Sequence, residues 1–247
     1  MARVVVLHTS DIHNRLTPDR ARFLHRLKSE LPQSLMVDSG DAIWAGNVFW
    51  RPGGERVLDL MNAVPYDAMC MGNREFHLWR AGILSKTSRA RFPVLSANLR
   101  QIDGDGSCDQ FAPFVTLDCG GMCVGVFGLS VPCVKQGTLI GRFADFCFED
   151  PIEAAARIVP TLRDRCGLVV ALTHIGLKHD RELAAAVPGI DLILGGHTHT
   201  VTQTPEKVER TWIVHSGFHC REVRKVDIDC SAGSINLQSE LIRLPVR

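Results

Sequence analysis

The residues of this 247-residue chain best equipped for chemistry fall just past its apolar, strand-like runs. Val4–Leu7 leads to Asp11 and His13, Leu35–Val37 to Asp41, and Ala68–Met71 to Asn73. Leu168–Leu172 leads to His174, and Asp191–Leu194 to His197 and His199. One carboxylate or imidazole past a strand is ordinary turn or capping chemistry. Five such endings from distant parts of the chain predict loops that converge on one place. In an open α/β sheet the ligand site lies outside the carboxyl ends of the strands. Carboxylate, imidazole and amide ligands with no thiolate suit hard-to-borderline divalent cations. The pattern predicts a two-metal hydrolytic centre.

Glycines precede several of these residues. Gly40 stands before Asp41, Gly72 before Asn73, and Gly195-Gly196 before His197. A glycine there permits the tight backbone that brings a side chain to a crowded centre. No GxSxG elbow supports a serine hydrolase. The nine cysteines show no repeated CxxC spacing, which disfavours a disulfide framework or a structural zinc cluster.

Alternating elements must position these side chains. Apolar spacing predicts helices over Asp19–Leu31, from about Glu55 to Asn62, and around His77–Arg89. With strands Val4–Leu7, Leu35–Val37, Ala68–Met71 and Val94–Ala97 they form βαβ units and a largely parallel sheet. Gln101–Gln110 reads as a Gly/Asp-rich loop, and Phe114–Phe127 as a hairpin turning at Gly120-Gly121. Asp150-Pro151 is an N-cap followed by proline at the first helical position, opening a helix to about Arg165. Leu168–Leu172, a helix Asp180–Val187 and Asp191–Leu194 make a second βαβ unit. Three β-rich runs follow: Thr211–His215, Glu222–Asp229 and Ile235–Leu244. The predicted fold class is α/β, a four-layer α/β/β/α sandwich of two mixed sheets flanked by helices, in a single domain over residues 1–247.

Charge narrows the partners. Twenty-eight basic residues against 27 acidic ones give a formal net charge of +1. That is no electrostatic footprint for nucleic acid or an anionic membrane, so an anionic substrate must be held by local charge. The start has no signal-peptide pattern, and no apolar stretch reaches the roughly 18 residues that span a bilayer. A cytoplasmic location is expected.

The ordered set resembles the calcineurin-like metallophosphoesterases, whose pattern is DxH, GD, GNH[DE], a lone His and GHxH. Here it stands as Asp11-Ile12-His13, Gly40-Asp41, Gly72-Asn73-Arg74-Glu75, His174 and Gly196-His197-Thr198-His199. The likeness spans nearly the whole chain. It is similar above all to the catalytic domain of the 5′-nucleotidase and 2′,3′-cyclic phosphodiesterase branch, through Met61–Met69, Ser96-Ala97-Asn98-Leu99 and His174-Ile175-Gly176. The resemblance implies one divalent metal on Asp11, His13, Asp41 and His199. It implies a second on Asp41, Asn73, His174 and His197, with Asp41 bridging. Mn²⁺ is the expected ion, with Fe, Zn and Co as alternatives, because N/O ligand sets select poorly among metals. A water between two such cations loses its proton near neutral pH and attacks phosphorus in line with the leaving oxygen.

Two departures from the family pattern shape the expected activity. Arg74 replaces the usual histidine of GNH, and His77 stands where the branch commonly has that histidine's Asp partner. Arginine stabilises a phosphoryl group bidentately but cannot donate a proton, since its pKa exceeds about 12. His77, three residues on and read as sharing a helix face with Arg74, is the candidate proton donor. Asp41, Arg74 and His77 are thus the candidate catalytic residues. Relatives lacking the histidine tend toward phosphodiesters. The chain is also expected to stop where the branch's C-terminal nucleotide-binding domain would begin, so base recognition does not carry over.

Candidate substrate contacts are Arg74, Asn98, His219 and Trp44. Asn98 ends a strand beside that of Asn73, and His219 follows Ser216-Gly217-Phe218, where the family has a glycine-rich loop near the metals. Trp44, with Phe49, Trp50 and Arg51, either stacks a base or covers the site, or packs beneath the following helix. Asp38 orients a ligand or caps a turn. The expected function is hydrolysis of phosphodiesters or nucleotide-like phosphoesters by a dinuclear metal centre. The alternatives are a 5′-nucleotidase-type phosphomonoesterase and a metal-binding pseudoenzyme that acts as a binding protein.

Overall fold

The computed structural model describes residues 2–46, 48–102, 111–231 and 234–245. Most of the expected Gly/Asp-rich loop, residues 103–110, lies outside them. The first sheet contains β1 (Ala2–Thr9), β2 (Leu35–Asp38), β3 (Ala68–Cys70) and β4 (Val94–Leu95), all parallel, with α1 (Pro18–Glu30), α2 (Val57–Ala63) and α3 (Arg80–Thr87) as crossovers. β5 (Leu99–Gln101) pairs with the later β8 (Phe146–Phe148) in a small separate ladder. The second sheet is built on β6 (Phe114–Cys119), β7 (Met122–Ser130), β9 (Leu168–His174) and β10 (Leu192–Gly195), with α4 (Pro151–Arg163) and α5 (Leu177–Ala186). β11 (Glu206–Val208) and β12 (Thr211–His215) complete it. β13 (Glu222–Ser231) and β14 (Ser234–Arg243) return to the first sheet, β13 antiparallel to β1. The orders are β14-β13-β1-β2-β3-β4 and β11-β12-β10-β9-β7-β6.

Side-chain alternation explains the four layers. Leu35 and Val37 of β2, and Leu168, Val170 and Leu172 of β9, point into the core between the sheets. Met36 faces the helical layer over the first sheet, whereas Val169 and Ala171 face the one over the second. A strand covered on both faces reads as an unbroken apolar run, which is why these strands show no polar alternation. The expected α/β/β/α sandwich of two mixed sheets is what forms.

Local chemistry sets the element ends. Cys119 pairs with Met122, so Gly120-Gly121 is a two-residue hairpin loop, and both glycines have positive φ, +63° and +84°. Asp150 caps α4, its side chain accepting the Ile152 N–H at 2.8 Å with Pro151 in the first turn. Two helix starts differ from expectation by three residues: α5 begins at Leu177, earlier than the expected Asp180, and α3 begins later than His77. Trp79, at φ −105° and ψ 142°, is extended, so α3 starts at Arg80 and His77 lies before it. Arg74 and His77 therefore share no helix face, and Asn98 precedes β5 instead of ending β4.

Candidate metal centre

The carboxyl ends of β1, β2 and β3 in one sheet meet those of β9 and β10 in the other. Asp11 and His13 follow β1, Asp41 follows β2, Asn73 follows β3, His174 ends β9, and His197 and His199 follow β10. The loops are laced together by backbone bonds from Asp11 N to Gly40 O (3.0 Å), His13 N to Asp41 O (2.9 Å) and Asn14 N to Ala42 O (2.8 Å). Gly40 and Gly72 make the closest approach possible. A Cβ on Gly40, at φ +92°, would lie 2.6 Å from Gly72 N, and one on Gly72 would lie 2.3 Å from Asp41 N. Five of the expected ligands hold non-glycine positive φ: Asp11 (49°), His13 (47°), Asp41 (56°), His197 (77°) and His199 (56°). Such backbones cost on the order of 1 kcal/mol or more each and collect at functional sites.

Two groups of ligand atoms form. Atoms of Asp11, His13 and His199 lie within 4.8 Å of one another, as do atoms of Asp11, Asp41 and His174. His13 Nε2 and His199 Nε2 are 2.9 Å apart, and His199 Nε2 is 3.4 Å from Asp11 Oδ1. His174 Nε2 is 3.5 Å from Asp41 Oδ1, and the His174 and His197 ring centroids are 5.1 Å apart. Asp11 is thus the carboxylate common to both groups, whereas the resemblance puts Asp41 between the metals.

The donor set fits cations. Asp11 Oδ1, His13 Nδ1 and His174 Nε2 are buried without a hydrogen-bond partner. Burial works to raise the Asp11 pKa, but His199, His174 and Ser10 outweigh it and hold the carboxyl below its usual range. Burial likewise opposes ionisation of Asp41, yet His174, the Arg74 N–H and His13 hold it down to about 2. Burial disfavours charge on His174, and Asp41 and then Asp11 overcome this, raising it to about 10. The two carboxylates thus favour positive charge at the place where the orphaned ligand atoms converge.

Surrounding groups aim the ligands. His174 Nδ1 lies 2.7 Å from Ser39 O, which leaves Nε2 directed at Asp41. His197 N donates to Asp11 Oδ2 at 3.1 Å, and Ser10 Oγ donates to the same oxygen. Glu75, fully buried, accepts four backbone N–H groups, from Asp41, Ala42, Ile43 and Gly72. Lys86 is also fully buried, its Nζ donating to Gly46 O, Arg74 O and Phe76 O at 2.6, 2.9 and 2.7 Å. Sequence reasoning gave Glu75 and Lys86 no role. Behind the centre, His8 lies between Ser39 and Ser216, and His215 pairs with Asp180 at 2.7 Å.

The other candidates divide. Arg74 is at the centre: its N donates to Asp41 Oδ1 at 2.7 Å, its Nε is 3.6 Å from Asp41 Oδ2, and its Nη1 donates to Trp44 O at 2.6 Å. His219 is also close, with its ring centroid 5.6 Å from that of His13. Its pKa is held down by burial, then by Arg15, Arg221, His199 and Arg74. His77 is not beside Arg74 on a helix. It is buried against Gly82, and its Nδ1 accepts the Trp79 N–H at 3.0 Å. Asn98 does not face a pocket: it is fully buried, donating to Ser130 O at 2.8 Å and accepting from Ser130 N at 2.9 Å. Asp38 caps its turn, accepting from Gly40 N at 2.8 Å and Thr9 Oγ1 at 2.6 Å. Trp44, Phe49 and Trp50 do not pack beneath α2; they are 54%, 57% and 47% exposed.

The family model described as calcineurin-like phosphoesterase matches residues 4–201. The trifunctional nucleotide phosphoesterase protein YfkN of Bacillus subtilis is 29% identical over 264 residues, covering 91% of this chain and 18% of that protein. The 5′-nucleotidase of Mus musculus is 30% identical over 229 residues, 81% of this chain and 38% of that one. The solved 5′-nucleotidase precursor from Thermus thermophilus matches with a TM-score of 0.82 at 24% identity, over 98% of this chain and 55% of that chain. That likeness shows a shared fold. The chain spans less than half the length of the two curated relatives. With most of its length matched, the chain belongs to the calcineurin-like phosphoesterase family.

Proposed function

We propose that this chain is a divalent-metal-dependent hydrolase of nucleotide-like phosphoesters, with diesters preferred. The observation that carries the reading is the pair of ligand groups joined through Asp11, at the meeting edges of two sheets. Asp11, His13, Asp41, Asn73, His174, His197 and His199 would hold two cations, Mn²⁺ being the expected ion. When bound, such cations neutralise phosphoryl charge and lower the pKa of water, so no protein nucleophile is needed.

The chain's own residues supply position and charge. Asp41 is held by Glu75 and the Arg74 N–H, so its carboxylate is fixed before substrate arrives. Arg74, tethered at Nη1 to Trp44 O, carries a permanent positive charge suited to the phosphoryl oxygens. It cannot protonate a leaving oxygen, and His77, turned to Trp79 N, is not set to do so for it. Leaving groups that depart as stable anions are therefore favoured, and the preference for diesters rests on the resemblance, in which chains without the histidine of GNH tend toward them.

A monoesterase reading is supported by the names of the 5′-nucleotidase relatives. One assay separates the two: metal-dependent turnover of bis-p-nitrophenyl phosphate against that of p-nitrophenyl phosphate, a diester and a monoester with the same leaving group. Faster diester turnover is expected. Monoester turnover alone would overturn the preference, and turnover of neither with Mn²⁺, Co²⁺ or Zn²⁺ would overturn the hydrolase reading.

A further inference from the structure

An open cleft of about 760 Å³ lies next to the metal centre, lined by Asn14, Arg15, Arg20, His219, Arg221 and Pro245 together with the start of α1. Its volume falls in the range of small-molecule sites. It adjoins the centre directly: Asn14 follows His13, and the His219 ring is 5.6 Å from His13 and 6.3 Å from His199. Phe218 bridges the two regions, stacked on His199 at 4.7 Å and covered by the Arg221 guanidinium at 4.8 Å.

The cleft is walled and positively charged. Arg20 is spent on its construction, with Nη1 donating to Arg15 O (2.9 Å) and His219 O (3.2 Å) and Nε donating to Pro245 O (3.3 Å). That one side chain holds three parts of the wall together. Arg15 and Arg221 are exposed, and neither has a carboxylate partner among the described residues. The acidic lining residue, Asp19, is taken by Arg22. A chain of almost neutral net charge thus concentrates uncompensated cations beside its candidate metal ligands.

We propose that this cleft is an anion subsite in which Arg15 and Arg221 hold a second phosphate of the substrate, next to the phosphoryl group at the metals. The proposal rests on the hydrolase reading for what the second phosphate is attached to. The cleft begins at Asn14, the residue after His13, and adjoins the centre with no intervening segment, which suits two phosphates in direct anhydride linkage. Hydrolysis then places the water oxygen on phosphorus and breaks the P–O bond to the leaving group. That group departs as a phosphate anion with the bonding electron pair, and the protons of the water pass to solvent and the product phosphates. No proton donor is needed at the leaving oxygen, in keeping with Arg74.

The test compares methylenediphosphonate, a non-hydrolysable diphosphate, with inorganic phosphate by calorimetric titration of the Mn²⁺-supplied full chain. Wild type should bind the diphosphonate at least about tenfold more tightly, and the Arg15→Ala/Arg221→Ala double variant should lose most of that preference. Arg15→Lys/Arg221→Lys, which keeps the charges, should retain part of it. An equal preference in the alanine variant, or none in wild type, overturns the subsite. Hydrolysis of bis-p-nitrophenyl phosphate is measured on the same samples. Absent turnover with the binding preference intact would sink the hydrolase reading and leave the subsite standing.

Discussion

Glu75 Oε2 accepts the backbone N–H of Asp41 at 2.9 Å and that of Gly72 at 2.8 Å. Its other oxygen accepts from Ala42 at 2.9 Å and Ile43 at 3.3 Å. One buried carboxylate therefore sets the spacing between the loop that carries Asp41 and the loop that carries Asn73. Replacing it with Gln turns an acceptor into a donor and leaves backbone N–H groups unpaired. Glu75→Gln should cost roughly 2–4 kcal/mol of stability, and weaken metal binding about 10–100-fold. Thermal unfolding and metal titration check both, and unchanged metal affinity in a folded variant would contradict the clamp.

Arg74 contributes charge without a transferable proton. Arg74→Ala should lower turnover of every substrate. Arg74→His should instead raise turnover of substrates with alkyl leaving groups relative to nitrophenyl ones, by up to about 10²-fold. A pH–rate profile for Arg74→His should gain a limb near the histidine range, since the new group acts only while protonated. A ratio that stays at the wild-type value would count against this account of leaving-group choice.

His77 packs against Gly82 and accepts from Trp79 N, so it acts as a strut. His77→Ala should destabilise the fold by about 1–3 kcal/mol through the cavity and lost contact. Rates on alkyl and nitrophenyl leaving groups should change in the same proportion. Selective loss on the alkyl substrate would restore His77 as a proton donor.

Acid should unfold the protein partly through His8. Burial first, then His215 and Arg224, hold its pKa down to about 3, against an unfolded value of 6.5. The folded pKa lies below the unfolded one, so the unfolded chain takes up the proton first. The contribution of His8 is complete above pH 6.5 and is lost as pH falls from there toward 3, at up to about 1.4 kcal/mol per pH unit. His13, held down to about 4, steepens the same limb. Urea unfolding across that window should show a slope smaller by about one proton in His8→Asn. An identical slope would mean that His8 is charged in the folded state.

The candidate ligands are legible in the sequence because each strand runs apolar to its end and then changes type abruptly, as Leu192–Leu194 does before Gly195-Gly196-His197. The fold class follows from the same runs. Glu75 and Lys86 are not legible, since their partners are backbone groups of loops that only the tertiary fold brings near. His77 is misplaced by sequence because helical spacing extends back across Trp79, whose extended backbone no apolar pattern signals. Asn98 is misread for a related cause: its amide is consumed by Ser130, 32 residues away. The cleft arginines are hidden by a net charge of only +1, a sum that says nothing of local arrangement. β5, β8 and β11, of three residues each, are too short to show a period.

Anomalous diffraction from crystals grown with Mn²⁺ tests the two-metal centre most directly. Two peaks about 3.5–4 Å apart are expected, enclosed by Asp11, His13, Asp41, Asn73, His174, His197 and His199. A folded protein showing no peak among those side chains, or showing manganese bound only elsewhere, would contradict it.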